Sequence, residues 1–382
     1  MDKKPKVFVG VSGGVDSSVA LALLKNEGYD VTGVFLKVWS PDFLPCDWRE
    51  ERRSAMRVCA VLDVPFLTLD CEKEYKEEVV DYMIREYSNG RVPNPDIFCN
   101  KYVKFGVFLK KALEMGADYV ATGHYARVTT PFSSKLLIGQ TLPLTSIKSF
   151  DSTESEYQLL EGEDKEKDQS YFVYTLNQDQ LKHILFPVGG MTKPEVRKMA
   201  EKFNLPTAYK KDSQGLCFMG KIDMKEFLSH YIEIKKGDVL NVSGEIIGHH
   251  DGAMFLTIGQ RHGFTVTKKT ANDPRYFIVA KDILNNTITV ASKENESESV
   301  YSVKQILIRD LHLISDSSIS FPYSTSVRIR YRQEKQECTI NKTEEGYSVQ
   351  FMHPQNGVAI GQSTVFYDGE KCLGGGIIEK IT

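Results

Sequence analysis

A glycine-rich turn between a short apolar strand and a helix constrains this chain more than any other stretch. Residues 7–11 are β-branched, aromatic or glycine, as is typical of a buried strand, and the small residues that follow predict a tight turn into a helix near Ser17. Gly13 and Gly14 allow a ligand to approach the backbone, and a helix N-terminus attracts negative charge. Asp16 would repel a phosphate unless a cation such as Mg²⁺ lies between them. The stretch therefore predicts a phosphate site, against the alternative of an ordinary strand–helix loop capped by Ser17.

Strand and helix patterns alternate over the first part of the chain. After the glycine turn, strands are predicted at 29–39, at 65–69 and before Gly123, with amphipathic helices between them. This alternation indicates a parallel sheet with helices on both faces. Because ligands bind at the carboxyl ends of the strands in such sheets, the glycine turn, Leu36, Gly123 and His124 are expected to lie together.

Length, charge and the N-terminus limit the class of protein. The 382 residues suggest two or three domains, and 41% hydrophobic residues suffice for real cores. A net charge of −3 means that any nucleic-acid surface has to be a local basic patch. The N-terminus has no apolar or arginine-rich leader, and no run approaches the length of a membrane span. We therefore predict a cytoplasmic protein without a membrane partner.

Two of the seven cysteines stand in segments that favour chemistry. Pro93 and Pro95 stiffen the segment before Cys99, and a helix is predicted to begin at about Cys99 or Asn100, where the helix dipole and nearby lysines would stabilise a thiolate. Cys217 lies between two glycines on a segment without helical or strand period, which suits a thiol that meets two partners in turn. For both residues a buried, unreactive cysteine is the alternative.

The other cysteines have no such surroundings, and no pair has zinc-ligand spacing. Cys59, Cys71, Cys338 and Cys372 are predicted to pack as small hydrophobic residues, and Cys46 receives no assignment.

The patterns divide the chain into three predicted domains within an α/β fold class. Residues 1–165 form a parallel-sheet, Rossmann-like catalytic domain with a hairpin insertion at 129–165. Residues 166–234 form a small, mainly helical central domain, and 235–382 an antiparallel β-barrel. A predicted strand at 327–332 carries three arginines on one face, which is either a phosphate-backbone contact or a solvated strand face.

Seven motifs, taken together, resemble one family. They are S-G-G-V-D-S-S at 12–18, N-P-D-I-F-C-N at 94–100, A-T-G-H-Y-A-R at 121–127, K-D-Q-S-Y-F at 167–172, G-L-C-F-M-G at 215–220, R-Y-R-Q at 330–333 and G-Q-S-T-V-F-Y-D-G at 361–369. The set resembles the tRNA-specific 2-thiouridylases, a family of PP-loop ATP pyrophosphatases. The resemblance implies a PP-loop catalytic domain and ATP-dependent thiolation of carbon 2 of the wobble uridine in tRNA.

The resemblance also implies roles for particular residues. ATP, together with Mg²⁺, would be bound by Gly10, Val11, Ser12, Gly13, Gly14, Val15, Asp16, Ser17, Leu36 and Gly123. The target base would be bound by Asn94, Pro95 and Asp96, and the rest of the tRNA by His124, Lys167, Asp168, Gln169, Arg330, Tyr331 and Gln362. The catalytic residues would be Cys99 as nucleophile, Cys217 as carrier of a persulfide, and Asp96. The sulfur would be delivered by a cysteine desulfurase or a sulfur-relay protein.

Two other functions are compatible with the same patterns. A PP-loop synthetase acting on a small acceptor would need neither Cys217 nor tRNA for ATP cleavage. A non-catalytic tRNA-binding protein would bind tRNA without releasing AMP, and the presence of Asp16, Cys99 and Cys217 argues against it.

Overall fold

A computed structural model describes residues 4–43, 48–130, 133–136, 156–212, 217, 223–267, 275–292, 302–315 and 319–382. The strands of the first half are β1 (Lys6–Gly10), β2 (Asp30–Lys37), β3 (Phe66–Asp70), β4 (Tyr119–Ala121), β5 (Ala126–Thr130), β6 (Ser133–Leu136), β7 (Gln158–Glu161) and β8 (Ile184–Leu185). The helices are α1 (Val15–Asn26), α2 (Trp48–Val61), α3 (Glu72–Tyr75, continued by Lys76–Val80 and Asp81–Ser88), α4 (Pro95–Phe98, continued by Cys99–Phe108 and Leu109–Glu114), α5 (Gln178–Leu181), α6 (Lys193–Lys202) and α7 (Met224–Ser229).

A five-stranded parallel sheet forms the first part of the molecule. Its order is β3-β2-β1-β4-β8, and every neighbouring pair is parallel. The central strand β1 is buried on both faces, which explains its uninterrupted apolar sequence. Leu21 and Leu24 of α1 pack against one face, and Phe105 and Phe108 of α4 belong to the core on the other. The predicted parallel sheet with helices on both faces is confirmed.

The remaining strands form two mainly antiparallel assemblies. They are β9 (Gly237–Leu240), β10 (Ile246–His250), β11 (Phe264–Val266), β12 (Tyr276–Asp282), β13 (Thr287–Ser292), β14 (Val303–Leu313), β15 (Tyr323–Arg328), β16 (Gln336–Thr343), β17 (Gly346–Gln355), β18 (Ser363–Asp368) and β19 (Lys371–Ile381). Strands β14–β19 close into a barrel, because β14 pairs with both β17 and β19. Strands β9–β13 form a separate five-stranded sheet with its own apolar core, in which β9 and β13 pair in parallel and the other neighbours are antiparallel.

The structure refines the predicted division of the chain. The residues that we assigned to one barrel form two sheets, since the alternation of apolar residues marks strands but not which strands share a core. The parallel sheet takes β8 from beyond residue 165, and β7 of the predicted insertion pairs with β19 of the barrel. Residues 137–155 of that insertion lie outside the described residues. The functional roles given to the three domains stay predictions.

The described part of the chain contains no helix that is both long and apolar enough to pass through a membrane.

Gly123 brings the end of β4 against the first turn of α1. A Cβ atom at this position would lie 2.6 Å from the backbone nitrogen of Ser17 and 2.7 Å from the carbonyl carbon of Asp16. Both are backbone atoms, so they cannot turn aside as a flexible side chain would. The absence of a side chain at residue 123 therefore sets the distance between the glycine turn and β4.

We expect Gly123→Ala to lower the free energy of unfolding by about 1–3 kcal/mol, because the backbone of α1 or β4 has to shift. The measurement is urea denaturation followed by circular dichroism. Gly10→Ala is the matched control, since a Cβ atom there meets nothing closer than 3.5 Å. Equal urea midpoints for the two variants would show that the close approach at Gly123 does not constrain the fold.

Candidate active site

A cavity of about 520 Å³ opens where the strands of the parallel sheet end. Leu36 of β2, Gly123 and His124 line it together with the glycine turn. The structure thus brings together the segments that the parallel-sheet rule predicted to meet. Asp96, Cys217 and Tyr331, from three distant parts of the chain, line the same cavity.

The glycine turn presents a helix N-terminus to this cavity. Gly13 has a φ of +75°, and Gly14 is the residue before the first turn of α1. Among the described residues, no side chain caps α1; the Ser17 hydroxyl instead accepts a hydrogen bond from the amide of Ser12. The turn is held from outside by the hydroxyl of Ser54 and the ammonium of Lys210, which both donate to the Gly13 carbonyl. This geometry is suited to binding an anion.

Asp16 is paired with a lysine that the sequence analysis missed. Lys193, at the start of α6, donates to both carboxylate oxygens of Asp16 at 2.7 and 2.9 Å, and the Tyr125 hydroxyl donates to one of them at 2.8 Å. Lys193 is only 9% exposed. A lysine in the first turn of a helix faces the positive end of the helix dipole, so a carboxylate partner offsets an unfavourable position. A lysine directly after the Thr192 cap, at the positive end of a helix, was therefore the sequence signal that Lys193 has a carboxylate partner.

Lys193 also reaches Asp212, which joins three cations. Asp212 pairs with Lys193 at 2.9 Å, Lys167 at 2.9 Å and Arg197 at 2.8 Å. Burial alone would raise the pKa of Asp212, but its hydrogen bonds to Lys167 and Lys193 outweigh burial and hold the pKa at about 2. Asp212 therefore carries a full negative charge at neutral pH and connects the glycine turn to the segment that leads to Cys217.

The two candidate thiols are neighbours. The Sγ atoms of Cys99 and Cys217 lie 3.4 Å apart, with Cys99 donating to Cys217. The backbone of Cys217 is fixed on both sides: its amide donates to Asp96 at 3.0 Å, and its carbonyl accepts from the Tyr75 hydroxyl at 2.8 Å. Burial raises the pKa of Asp96, while the Cys217 amide opposes that change. This arrangement can support exchange of sulfur between two cysteines.

The pKa shifts favour ionisation of Cys217 over Cys99, the cysteine for which we predicted a thiolate. The hydrogen bond from Cys99 is the largest influence that lowers the pKa of Cys217, and burial raises the pKa of Cys99 well above its ordinary value. The reason is that α4 begins at Pro95 with Asn94 as its cap, so Cys99 lies inside the helix instead of at its start. Proline at the first helical position after asparagine was the signal for this earlier start.

Lys104 and His124 line the same cavity as Cys217. Burial opposes the charge of Lys104, but Cys217, Cys99 and Asp96 outweigh it and raise the pKa of the ammonium. Burial, followed by the charge of Lys104, lowers the pKa of His124 well below its ordinary value. His124 is therefore a neutral, 7% exposed residue whose Nδ1 is bonded to the Thr122 hydroxyl, 2.7 Å away.

The residues predicted to bind RNA fall into two groups. Lys167, Gln169 and Tyr331 line the cavity, and Arg330 is exposed beside Tyr331. Tyr331 packs on Phe172, with ring centres 4.6 Å apart.

Two other predicted RNA ligands are engaged within the protein. Asp168 is 3% exposed and binds the amides of Gly162 and Ser170 and the guanidinium of Arg328. The Gln362 amide donates to the carbonyl of Val92 at 2.8 Å, next to the segment that carries Asn94 and Pro95. The side chains of Asp168 and Gln362 thus position other parts of the protein.

The predicted face of three arginines at 327–332 is wrong. β15 ends at Arg328, whose guanidinium is buried against Asp168 and Glu161. The chain then turns, with Arg332 at a φ of +62°, so the alternation of strand faces does not continue. Arg330 and Arg332 are exposed in that turn.

The four cysteines predicted as core residues are buried. Burial raises the pKa of Cys59 and Cys71 to about 11 and that of Cys338 to about 12, and raises that of Cys372 further. They are thiols that do not ionise at neutral pH. Cys46 lies outside the described residues.

Family models cover most of the chain. The tRNA methyl transferase HUP domain matches residues 5–221, the tRNA methyl transferase PRC-barrel domain matches 225–292, and the aminomethyltransferase beta-barrel domain matches 303–378. The last two matches correspond to the β9–β13 sheet and the β14–β19 barrel, respectively.

Curated proteins match over the full length. The chain is 41% identical over 387 residues to the tRNA-specific 2-thiouridylase MnmA 2 of Geobacillus kaustophilus, covering 100% of this chain and 97% of that protein. It is 42% identical over 383 residues to the tRNA-specific 2-thiouridylase MnmA of Alkaliphilus oremlandii, covering 99% and 98%. The protein of that name from Listeria innocua is 41% identical over 379 residues, covering 98% and 95%.

The contact of 3.4 Å between the two Sγ atoms predicts selective oxidation. Treatment with diamide should join Cys99 to Cys217, because a shift of about 1.4 Å brings the sulfurs to bonding distance. Trypsin would leave these cysteines on separate peptides, 92–101 and 212–221, so mass spectrometry reports the link directly. Cys217→Ala is the control that should lose it. A link that involves Cys59, Cys71, Cys338 or Cys372 instead would contradict the geometry.

Proposed function

Because the chain belongs to the family of tRNA-specific 2-thiouridylases, we propose that this sulfurtransferase replaces the oxygen at carbon 2 of the wobble uridine of tRNA with sulfur in an ATP-dependent reaction. One observation carries the proposal: an anion-binding turn and a pair of thiols 3.4 Å apart line or border a single cavity. The chemistry needs both, since one activates the oxygen and the other supplies the sulfur.

The first step is activation of the uracil oxygen by ATP. An amide-like oxygen is a poor leaving group, so the oxygen at carbon 2 attacks the α-phosphate, and pyrophosphate leaves. The open N-terminus of α1 and the ammonium of Lys193 would stabilise the departing pyrophosphate. Asp16, whose carboxylate pairs with Lys193 here, would supply one ligand to Mg²⁺ when that ammonium turns to the phosphate, and phosphate and water would supply the others.

Sulfur transfer follows at the thiol pair. A persulfide on Cys217 attacks carbon 2, AMP leaves, and the base is joined to Cys217 through two sulfur atoms. Cys99 then attacks the Sγ of Cys217, which releases 2-thiouridine and leaves a disulfide between the two cysteines. An external dithiol reduces that disulfide and returns both thiols. The distance of 3.4 Å between the Sγ atoms supports this final attack.

The target uridine has to leave its stack to reach the thiols. We propose that Asn94, Pro95 and Asp96 bind it, since Asp96 lines the cavity beside Cys217. Tyr331 and Phe172 form an aromatic surface in the same cavity on which a neighbouring base could stack. A cysteine desulfurase or a relay protein would load Cys217, and the cytoplasm is the expected location.

Purified protein should release AMP from ATP in the presence of tRNA, and radiolabelled sulfur from cysteine plus a desulfurase should enter the wobble base. We expect Cys99→Ala and Cys217→Ala each to lower thiolation at least about 1,000-fold while ATP binding persists, because each removes a reacting sulfur. Cys338→Ala, which alters a cysteine of the C-terminal barrel, is the matched control.

The same assay separates the rival functions. AMP formation with a small acceptor and no effect of tRNA would favour a PP-loop synthetase. Binding of tRNA without AMP release would favour a non-catalytic protein. Full thiolation by either cysteine variant would exclude the scheme with two thiols.

Lys193→Met should raise the KM for ATP by about tenfold or more, because a charged contact to phosphate is lost. Lys198→Met changes an exposed lysine of the same helix and should leave the KM unchanged. An unchanged KM in both variants, with normal folding, would mean that Lys193 serves only to hold Asp16.

A further inference from the structure

We propose that Lys104 is the positioning residue that gives the two thiols different roles: its ammonium stabilises the thiolate of Cys217, so that Cys217 accepts the incoming sulfur while Cys99 stays a protonated thiol. The inference rests on the proposed function. It adds Lys104 to the residues of the site and gives the reason why Cys99 and Cys217 take different roles. Four observations carry it, and each concerns the immediate surroundings of the thiols.

The first observation is a wide turn of α4. Residues Cys99–Phe108 are π-helical, with hydrogen bonds between residues five apart. In an α-helix, residues five apart point about 140° away from each other, so Lys104 would face away from Cys99. The π-helical turn places Lys104 near Cys99 instead. Gly106 permits it, since a Cβ atom there would lie 2.9 Å from the carbonyl oxygen of Lys101.

The second observation is the orientation of Lys104 within the cavity. Its Nζ lies 3.5 Å from Nε2 of His124. An ammonium can only donate, so Nε2 accepts, and the Nδ1 proton of His124 is directed to the Thr122 hydroxyl 2.7 Å away. His124 is thus held in one tautomer, and it presents a neutral acceptor to Lys104 instead of a competing charge.

The third observation is the set of titratable groups that face Lys104. Cys99 lies on α4, the helix that carries Lys104, and Asp96 lies on the same helix one turn before Cys99. Cys217 comes from the segment after α6, and His124 follows β4. Tyr75 of α3 faces the two thiols, with its hydroxyl bonded to the Cys217 carbonyl. The amide of Cys217 directs Asp96 to the backbone, which leaves the sulfur of Cys217 to Lys104 and Cys99.

The fourth observation is the direction of the bond between the thiols. Cys99 donates to Cys217 across 3.4 Å, and a donated hydrogen bond favours negative charge on the acceptor sulfur. The ammonium of Lys104 stabilises an anionic sulfur on Cys217. Ionisation of Cys99 would instead place a negative charge on a fully buried residue. The pKa shifts agree with this assignment, since burial, followed by the hydrogen bond to Cys217, raises the pKa of Cys99, and the hydrogen bond from Cys99 lowers the pKa of Cys217.

This division has a chemical consequence for loading. The Cys217 thiolate attacks the outer sulfur of a persulfide on the donor protein, the sulfur–sulfur bond of the donor breaks, and the donor leaves as a thiolate. One sulfur atom is transferred, and no electrons are gained or lost overall. A protonated Cys99 does not compete as nucleophile, and it is next to Cys217 when the disulfide has to form.

The test is the pH dependence of alkylation of the full-length protein by iodoacetamide, without ATP or tRNA. Mass spectrometry of peptides 92–101 and 212–221 gives separate rates for Cys99 and Cys217. In the unaltered protein we expect the midpoint for Cys217 to lie below that for Cys99. Midpoints are compared, because the two thiols differ in exposure.

Lys104→Met should raise the midpoint for Cys217 by at least about one pH unit, which corresponds to a rate about tenfold lower at pH 7. Lys104→Arg keeps the charge and should restore most of the reactivity, and Lys104→Gln keeps the polar chain if the methionine variant does not fold. Lys101→Met is the matched control, since Lys101 is an exposed lysine of the same helix.

Either of two results would overturn the inference: a lower midpoint for Cys99 than for Cys217, or an unchanged Cys217 midpoint in folded Lys104→Met and Lys104→Gln. An effect of Lys104→Met on the KM for ATP alone would assign the lysine to phosphate binding instead. These outcomes can be told apart from failure of the proposed function, which the AMP-release and thiolation assays described above test separately.

Discussion

The contact of Lys193 with two carboxylates joins the two chemical halves of the molecule. One partner, Asp16, belongs to the glycine turn, and the other, Asp212, precedes the segment that carries Cys217. Lys193 is buried, and its positive charge is balanced by the carboxylates of Asp16 and Asp212. The charge of Asp212 is balanced in turn by Lys167 and Arg197. The glycine turn and the segment that leads to Cys217 are therefore held together by one ammonium group on α6. Removal of any one charge would leave the others poorly compensated.

A second constraint comes from the barrel. The amide of Val92 donates to the carbonyl of Ile360, and Gln362 donates to the carbonyl of Val92. Arg91 pairs with Glu379 on β19 at 2.7 Å. The segment that precedes Asn94 is thus positioned by residues of the C-terminal barrel. In this arrangement the barrel contributes to the geometry of the site as well as providing the exposed arginines of the 330–332 turn.

Sequence reasoning succeeded where the cause of structure is local. The glycine turn, the parallel strands and the capping box of α6 follow from residues within a few positions of one another. It failed where a residue's role depends on a distant partner. Arg328 was predicted on an exposed strand face, yet Asp168 and Glu161, far away in sequence, bury it. Lys193 was missed for the same reason, since its carboxylates come from two other segments.

The position of Lys104 was hidden for a different reason. An α-helical period would direct Lys104 away from Cys99. Gly106 is the residue of Cys99–Phe108 that indicates a π-helical turn, and a single glycine does not predict one from sequence.

The anchoring of Cys217 through its backbone fits the several bonds that its sulfur makes and breaks in the reaction that we propose. Its amide is held by Asp96 and its carbonyl by Tyr75, so neither anchor involves the sulfur. The sulfur can then pass from thiolate to persulfide to disulfide while the main chain keeps its position. A residue anchored through its sulfur would lose its contacts at each step. Because the anchors belong to α3 and α4, two helices that pack in the core of the parallel-sheet domain, the sulfur of Cys217 is positioned from that core.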